Sequence, residues 1–280
     1  MRIKIWGCRG SIPSPGCATR CYGGNTTCLE VRLDNGTLVV IDAGTGIREL
    51  GNAMLKDRGP RELYLLLTHA HWDHLQGFPF FVPAYMQEYS IRVRSGPLAR
   101  KSLERFLAHQ LDPPFFPVTF GELKAHFDFD SADGRELSID GTSIRPIVLN
   151  HPNGGYGYRF VFRGKKFVFL TDTELGQEHP GGLPRGEYLD FCRNADLLIH
   201  DAQYTEAEYQ RSRGWGHSTY LAAAQFALEA GARRLALFHH DPLHADRDID
   251  RFVRECVHLI RRQGSRMSCF AAREGMEITL

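Results

Sequence analysis

Thr68-His69-Ala70-His71-Trp72-Asp73-His74-Leu75-Gln76-Gly77 follows directly on the apolar run Leu63-Tyr64-Leu65-Leu66-Leu67. Three histidines and one aspartate therefore fall within six positions, at the end of a stretch that reads as a buried strand. His69 and His71 lie two apart, so an extended backbone turns both imidazoles to one side. Asp73 and His74 follow in a turn. Four such side chains crowd one small ion, but they can serve two ions lying close together. A solvated histidine-rich loop is the plain alternative, and the rest of the chain argues against it.

The second half repeats the pattern of an apolar strand ending in polar chemistry. Ile144–Leu149 runs into Asn150-His151, and Lys166–Leu170 into Thr171-Asp172. Ala195–Ile199 ends at His200-Asp201, and Arg234–Phe238 at His239-His240. Strand ends in layered α/β proteins are rigid platforms, so these side chains are expected to converge on one rim. Shorter β-rich runs precede them at Met1–Trp6, Thr27–Leu33 and Thr37–Ile41, with Asn35-Gly36 as a tight turn between the last two. Residues 78–132 differ: they carry aromatics, prolines and a helical stretch near Leu98–Gln110. They then give Asp112-Pro113-Pro114-Phe115-Phe116-Pro117, which cannot be helical throughout. Ser218–Ala230 reads as a helix capped by Ser218 and stopped by Gly231, and Asp248–Arg262 as an amphipathic helix. A closing strand is expected at Met276–Leu280. The expectation is one domain over residues 1–280, a mixed sheet architecture covered by helices, with an inserted helical and loop segment around 78–132.

Composition narrows the partners. The 280 residues are 42% hydrophobic, enough for a substantial core, and the formal net charge is +1. A binder of long polyanions would carry a clear basic excess, so long nucleic acid is not expected. No apolar segment approaches the roughly 18 residues of a membrane helix, and Met1–Gly10 does not read as a signal peptide. The seven cysteines are an odd number spread thinly, which fits a reduced, cytoplasmic setting. Cys17 and Cys21 are spaced closely enough to share a structural zinc, with ordinary cysteines as the alternative.

On these residues the sequence resembles the metallo-β-lactamase superfamily, whose His-x-His-x-Asp-His hallmark is met by His69, His71, Asp73 and His74. Asp42-Ala43-Gly44-Thr45-Gly46 is similar to the family's Asp-containing turn. His151, Asp172 and His239 stand where its remaining metal residues are expected. The resemblance implies an α/β fold, a four-layer αββα sandwich, with the site at one edge between two sheets. It further implies two divalent ions: one held by His69, His71 and His151, the other by Asp73, His74 and His239, with Asp172 bridging. Imidazoles and carboxylates suit zinc first, with manganese or iron as alternatives. Asp42 is a candidate to orient a ligand histidine through its second nitrogen, or equally to stabilise its own Gly-containing turn. His200 and His240 read as structural.

Gly216-His217-Ser218-Thr219, with His200-Asp201, resembles the corresponding pair of the tRNA 3′-processing endonuclease branch and related phosphodiesterases. That resemblance implies that Asp201 orients His217 close to Asp73, so that Asp73, His217 and Asp201 form the catalytic group. The interval Thr173–His200 is too short for the tRNA-gripping arm of that branch. The expected activity is therefore metal-dependent hydrolysis of a small phosphodiester, a cyclic nucleotide or another nucleotide diester, by a protein compatible with homodimer formation. Phe115 and Phe116 are candidates either for stacking a base or for simple packing of a loop over the sheet, and Asn25 either for the site rim or for a turn made by Gly23-Gly24. The rival readings are an RNA-processing nuclease, a lactonase or a thiolester hydrolase on the same metals. From a different class, a non-catalytic metal-binding or sensory module would use the same ligands.

Overall fold

Apolar residues alternate between two destinations along the central strands, and this alternation builds the layers. Val39 and Ile41 enter one core while Leu38 and Val40 enter another; Phe167 and Phe169 part from Val168 and Leu170 in the same way. A strand buried on both faces must lie in a sheet covered on both sides.

The computed structural model describes residues 1–56, 59–96, 100–129 and 136–280. In chain order the first half comprises β1 (Arg2–Gly7), β2 (Cys28–Arg32), β3 (Leu38–Ile41), α1 (Gly46–Lys56), β4 (Glu62–Leu66), α2 (Trp72–Leu75), β5 (Ser90–Arg94), α3 (Arg100–Ala108) and β6 (His126–Phe129). The second comprises β7 (Leu137–Ile139), β8 (Thr142–Val148), β9 (Tyr156–Phe162), β10 (Lys165–Leu170), α4 (Arg185–Cys192), β11 (Leu197–Asp201), α5 (Glu206–Ser212), α6 (Tyr220–Glu229), β12 (Arg234–Phe238), α7 (Asp246–Arg262), β13 (Ser268–Ala271) and β14 (Glu277–Thr279).

Among the described residues the strands form two seven-stranded mixed sheets, ordered β14-β1-β2-β3-β4-β5-β6 and β13-β12-β11-β10-β9-β8-β7. Ile3, Ile5, Val39, Ile41, Phe167, Phe169, Ile199 and Phe238 fill the space between them. Burying each such side chain contributes roughly 1.5–3 kcal/mol. The outer face of the first sheet packs on α1 and α3 through residues such as Ile47, Leu50, Leu103 and Leu107. The outer face of the second packs on α4, α6 and α7 through Phe191, Phe226, Ile249 and Phe252. This is the expected αββα sandwich.

Three local expectations change. Residues 78–132 are not only helix and loop, because β5 and β6 extend the first sheet as parallel strands. Leu98, where the helix of this segment was expected to begin, and residues 130–132 lie outside the described residues. The cap of α6 is Thr219, whose hydroxyl accepts from Ala222 N at 3.1 Å. Ser218 is one residue too early to cap; its hydroxyl donates to Thr173 O at 2.6 Å and accepts from Leu175 N at 3.0 Å.

β3, β4 and β5 run parallel in one sheet, and β10, β11 and β12 in the other. Their carboxyl ends are the positions from which site residues emerge. Two links brace that rim across the sheets. On one side Gly10 N donates to His240 O at 2.9 Å and His240 N to Cys8 O at 3.0 Å. On the other, Tyr156 N donates to Thr68 O at 2.9 Å and the Tyr158 hydroxyl to Leu67 O at 2.6 Å. Arg9, wholly buried beside the first link, donates to the carbonyls of Gly23, Asp241 and His244 at 2.9–3.2 Å.

Candidate metal centre

The rim gathers the histidines and aspartates into two adjoining nests. His69, His71, His151 and Asp172 offer ligand atoms all within 4.8 Å of one another, and so do Asp73, His74, Asp172 and His239. His69 Nε2 and His151 Nε2 each lie close to His71 Nδ1, at 3.0 and 3.1 Å. Asp172 stands between the nests. Its Oδ1 is 3.7 Å from His69 Nε2 and 3.4 Å from His239 Nε2, and its Oδ2 is 3.3 Å from His74 Nε2. Asp73 Oδ2 lies 3.0 Å from His239 Nε2 and 3.4 Å from His74 Nε2.

The outward nitrogens of three histidines are already engaged. Asp42 Oδ2 meets His74 Nδ1 at 2.7 Å, Gln203 Oε1 meets His239 Nδ1 at 2.8 Å, and Gly216 O meets His151 Nδ1 at 2.9 Å. Each contact places the proton on Nδ1 and leaves the Nε2 lone pair aimed inward, the arrangement a metal-ligating imidazole needs. Asp42 is itself held by Thr68, whose N and Oγ1 donate at 2.7 and 2.8 Å. His74 Nε2 is buried with no hydrogen-bond partner. A buried polar atom without a partner is costly in a native fold, and a divalent cation is the partner this donor set fits.

The electrostatics agree. Burial opposes charge on every group, yet the surrounding imidazoles hold the Asp73 and Asp172 carboxyls well below the usual carboxylate range. Against the same burial, the carboxylates hold His74 well above the ordinary histidine range and raise His239 to about 9. His69 and His151 are pushed down by burial, His151 to about 4. The second nest therefore demands positive charge, and divalent cations would displace the protons that otherwise supply it.

Next to this cluster, Asp201 Oδ2 meets His217 Nδ1 at 2.6 Å, while Asp201 Oδ1 accepts from Gln203 N and Ser218 N, both at 3.1 Å. The His217 ring stacks on His239 at 4.8 Å and lies edge-on to His151 at 5.2 Å. Its Nδ1 is 3.9 Å from Asp172 Oδ1, so its neighbours in the cluster are Asp172, His151 and His239. Asp73 Oδ2, which lies in the second nest, also accepts from Ser11 N at 2.8 Å.

A cavity of about 370 Å³ opens beside His69 and His71, walled by Phe106, Val148, Asn153 and Tyr156. Phe116 instead packs edge-on against Phe80 at 5.6 Å, and Phe115 is 76% exposed. Asn25 is engaged by Glu274, through its N at 2.6 Å and its Nδ2 at 3.0 Å. Two tryptophans flank the cluster in sequence, Trp72 at 81% exposure and Trp215 at 64%. His200 and His240 are buried and bonded to carbonyls, His200 Nδ1 to Asp201 O at 2.7 Å and His240 Nε2 to Ala272 O at 2.9 Å. Cys17 and Cys21 are exposed free thiols, whereas Cys8 and Cys28 are buried in different cores, so the four do not gather. Sequence reasoning missed Gln203, Gly216 O and Ser11 N, all of which reach the site from other segments.

Fold and site together define a metal-dependent hydrolase whose candidate ligands span two sheets. The chain belongs to the β-lactamase superfamily domain family, whose model matches residues 37–240. It is a metal-dependent hydrolase similar to the ribonuclease Z and phosphodiesterase branch of that superfamily. Ribonuclease Z from Haloarcula marismortui is 24% identical over 293 aligned positions, which cover 85% of this chain and 86% of that protein. The metallo-β-lactamase fold protein YhfI from Bacillus subtilis superposes with a TM-score of 0.72 at 16% identity, over 99% of this chain and 98% of that one. A diphosphatase from the PhnP family superposes with a TM-score of 0.70 at 20% identity, over 100% and 97%. No described helix is long and apolar enough to cross a membrane.

Proposed function

We propose that the chain is a dinuclear, zinc-dependent phosphodiesterase of small nucleotide diesters, cyclic nucleotides among them. His69, His71 and His151 would hold one ion and Asp73, His74 and His239 the other, with Asp172 serving both. Bound divalent ions supply hydroxide near neutral pH and positive charge for phosphoryl oxygens. The observation that carries the reading is the His217–Asp201 pair, 2.6 Å apart and stacked beside His239. With Nδ1 engaged by Asp201, Nε2 is the atom left to deliver a proton to the leaving oxygen, the step a diester requires at its alkoxide. Asp201 and the edge of His151 fix the plane of that ring. Asp73 would serve the reaction as a ligand of the second ion beside His239, on which His217 stacks.

The 370 Å³ cavity lies within the size range of small-molecule sites, which supports a compact substrate. The seven free thiols support a reducing, cytoplasmic setting. A second reading, an RNA-processing nuclease, is favoured by the relative named ribonuclease Z. Salt dependence separates the two. A protein with six or more phosphate contacts loses about 10³–10⁵ in affinity between 50 and 200 mM salt. The expected result is cleavage of cyclic nucleotides and an aryl phosphodiester with weak salt dependence, and poor cleavage of precursor tRNA at either salt concentration. Efficient, strongly salt-sensitive cleavage of precursor tRNA would establish the nuclease instead. Turnover of lactones or thiolesters with no diester cleaved would refute both.

A further inference from the structure

Glu174 lies two residues beyond Asp172 and is wholly buried, yet it belongs to neither nest. Its carboxylate is saturated by donors from three separate segments. Oε1 accepts from the Tyr209 hydroxyl of α5 at 2.6 Å and from Gly214 N at 2.8 Å. Oε2 accepts from Gly216 N at 2.8 Å and faces His179 Nε2 at 2.7 Å. Its backbone is tied to the other side of the site, because Glu174 N donates to Asn150 O at 2.9 Å. Burying a carboxylate costs several kcal/mol unless it is fully hydrogen-bonded, so four donors at one group mark a junction rather than a surface accident.

What this junction holds is specific. The peptide whose N–H is bound by Glu174 belongs to Gly216, and the carbonyl of that same residue receives His151 Nδ1 at 2.9 Å. The next residue is His217. One buried carboxylate therefore sets the loop that selects the tautomer of His151 and presents the proton-transfer ring. Gly216 has no slack, since its φ is +92° and a Cβ there would lie 2.0 Å from His151 Nδ1. An acceptor displaced by even part of an ångström would turn the His151 ring.

We propose that Glu174 is a positioning residue for both the metal site and the acid: it locks the 214–217 loop so that His151 Nε2 and His217 point into the cluster. The inference rests on the assignment of His151 as a ligand made above, but not on the identity of the substrate.

Glu174→Gln keeps the side-chain shape while replacing one acceptor oxygen by an NH₂ that confronts two donors. Outer partners of metal ligands typically govern affinity by 10–100-fold. The variant should bind zinc 10–100-fold more weakly in competition with a chromophoric chelator, and its cobalt-substituted form should show an altered d–d spectrum. Tyr209→Phe, which removes one donor and leaves the carboxylate, should move both readouts in the same direction by less. Ile260→Val, a core truncation on the outer helix α7, controls for general destabilisation and should move neither. Wild-type zinc affinity and an unchanged cobalt spectrum in Glu174→Gln would overturn the proposal, as would an equal loss in Ile260→Val. If Glu174→Gln does not fold, an unaltered cobalt spectrum in Tyr209→Phe overturns it. Wild-type protein that binds zinc but cleaves no diester would defeat the phosphodiesterase reading and leave this test standing.

Discussion

Asp42, Asp172 and His239 share an uncommon backbone: their φ angles are 62°, 48° and 60°, in the left-handed region that side chains other than glycine seldom adopt. Such residues cost about 1–3 kcal/mol each and persist only where their surroundings over-determine them. Here each follows a strand, and the turn swings its side chain off the sheet and onto the rim. Gly10 supplies the complementary space, since a Cβ there would lie 2.4 Å from His239 Nδ1. Gly10→Ala should therefore lower metal content in otherwise folded protein, as measured by elemental analysis beside circular dichroism; full metal content would show that the ring can yield. Asp172→Ala should lose metal and turnover together, because both nests use it. His217→Ala should keep its metal and lose roughly 10²–10⁴-fold in turnover number. Metal loss in His217→Ala would place that ring among the ligands. At this scale the gathering of candidate ligands was legible where they are local, as in His69–His74, and where a polar residue ends an apolar run, as at Asp172 and His239. Gln203 and Glu174 gave no such signal, because their importance lies in contacts with residues 36 and up to 42 positions away.

Among the elements, α6 matters most to the site, since it begins three residues after His217. Its hydrophobic positions were readable, but its cap lies one residue beyond the expected Ser218, because serine is the better capping type and only the fold turns it inward to Thr173 and Leu175. Thr219→Ala should cost about 1 kcal/mol of stability, seen as a lowered denaturant midpoint with an unchanged slope; a loss below a few tenths would mean the cap is dispensable. The strands β10, β11 and β12 were plain from their continuous apolar runs, as strands covered on both faces are. β6 was not, because its His126-Phe127-Asp128-Phe129 is a short, partly exposed edge with little apolar excess. α1 was missed because Gly46 and Gly51 weaken helix propensity, although Ile47, Leu50 and Met54 form its buried stripe.

The whole molecule is two sheets whose docking completes the site. His69, His71, Asp73 and His74 follow β4 of the first sheet, whereas His151, Asp172 and His239 follow β8, β10 and β12 of the second. Ions shared between these groups would be cross-links between the two halves, and a ligand bound only by the folded state stabilises it by about 4 kcal/mol at a thousandfold excess over its Kd. Chelator treatment should therefore lower Tm by several degrees, and added zinc should restore it. A Tm indifferent to chelator would mean that the interlayer core alone holds the sheets together. The apolar runs alone give a mixed sheet architecture covered by helices; the four-layer order is implied by the family resemblance, and the alternating core assignments that build it appear only in the fold.

The distribution of the three tryptophans has an optical consequence. Trp6 is held on β1, its indole donating to Glu30 at 2.8 Å, while Trp72 stands exposed at the start of α2 between His71 and Asp73, and Trp215 stands exposed two residues before His217. Most of the solvent-facing indole surface of this protein therefore belongs to residues next in sequence to those of its own site. A paramagnetic ion such as manganese entering the nests would dim their emission, and a nucleobase crossing the rim would do so through contact. Intrinsic fluorescence should therefore report occupancy without label or turnover, and an emission indifferent to added manganese would place both indoles out of reach of the ions.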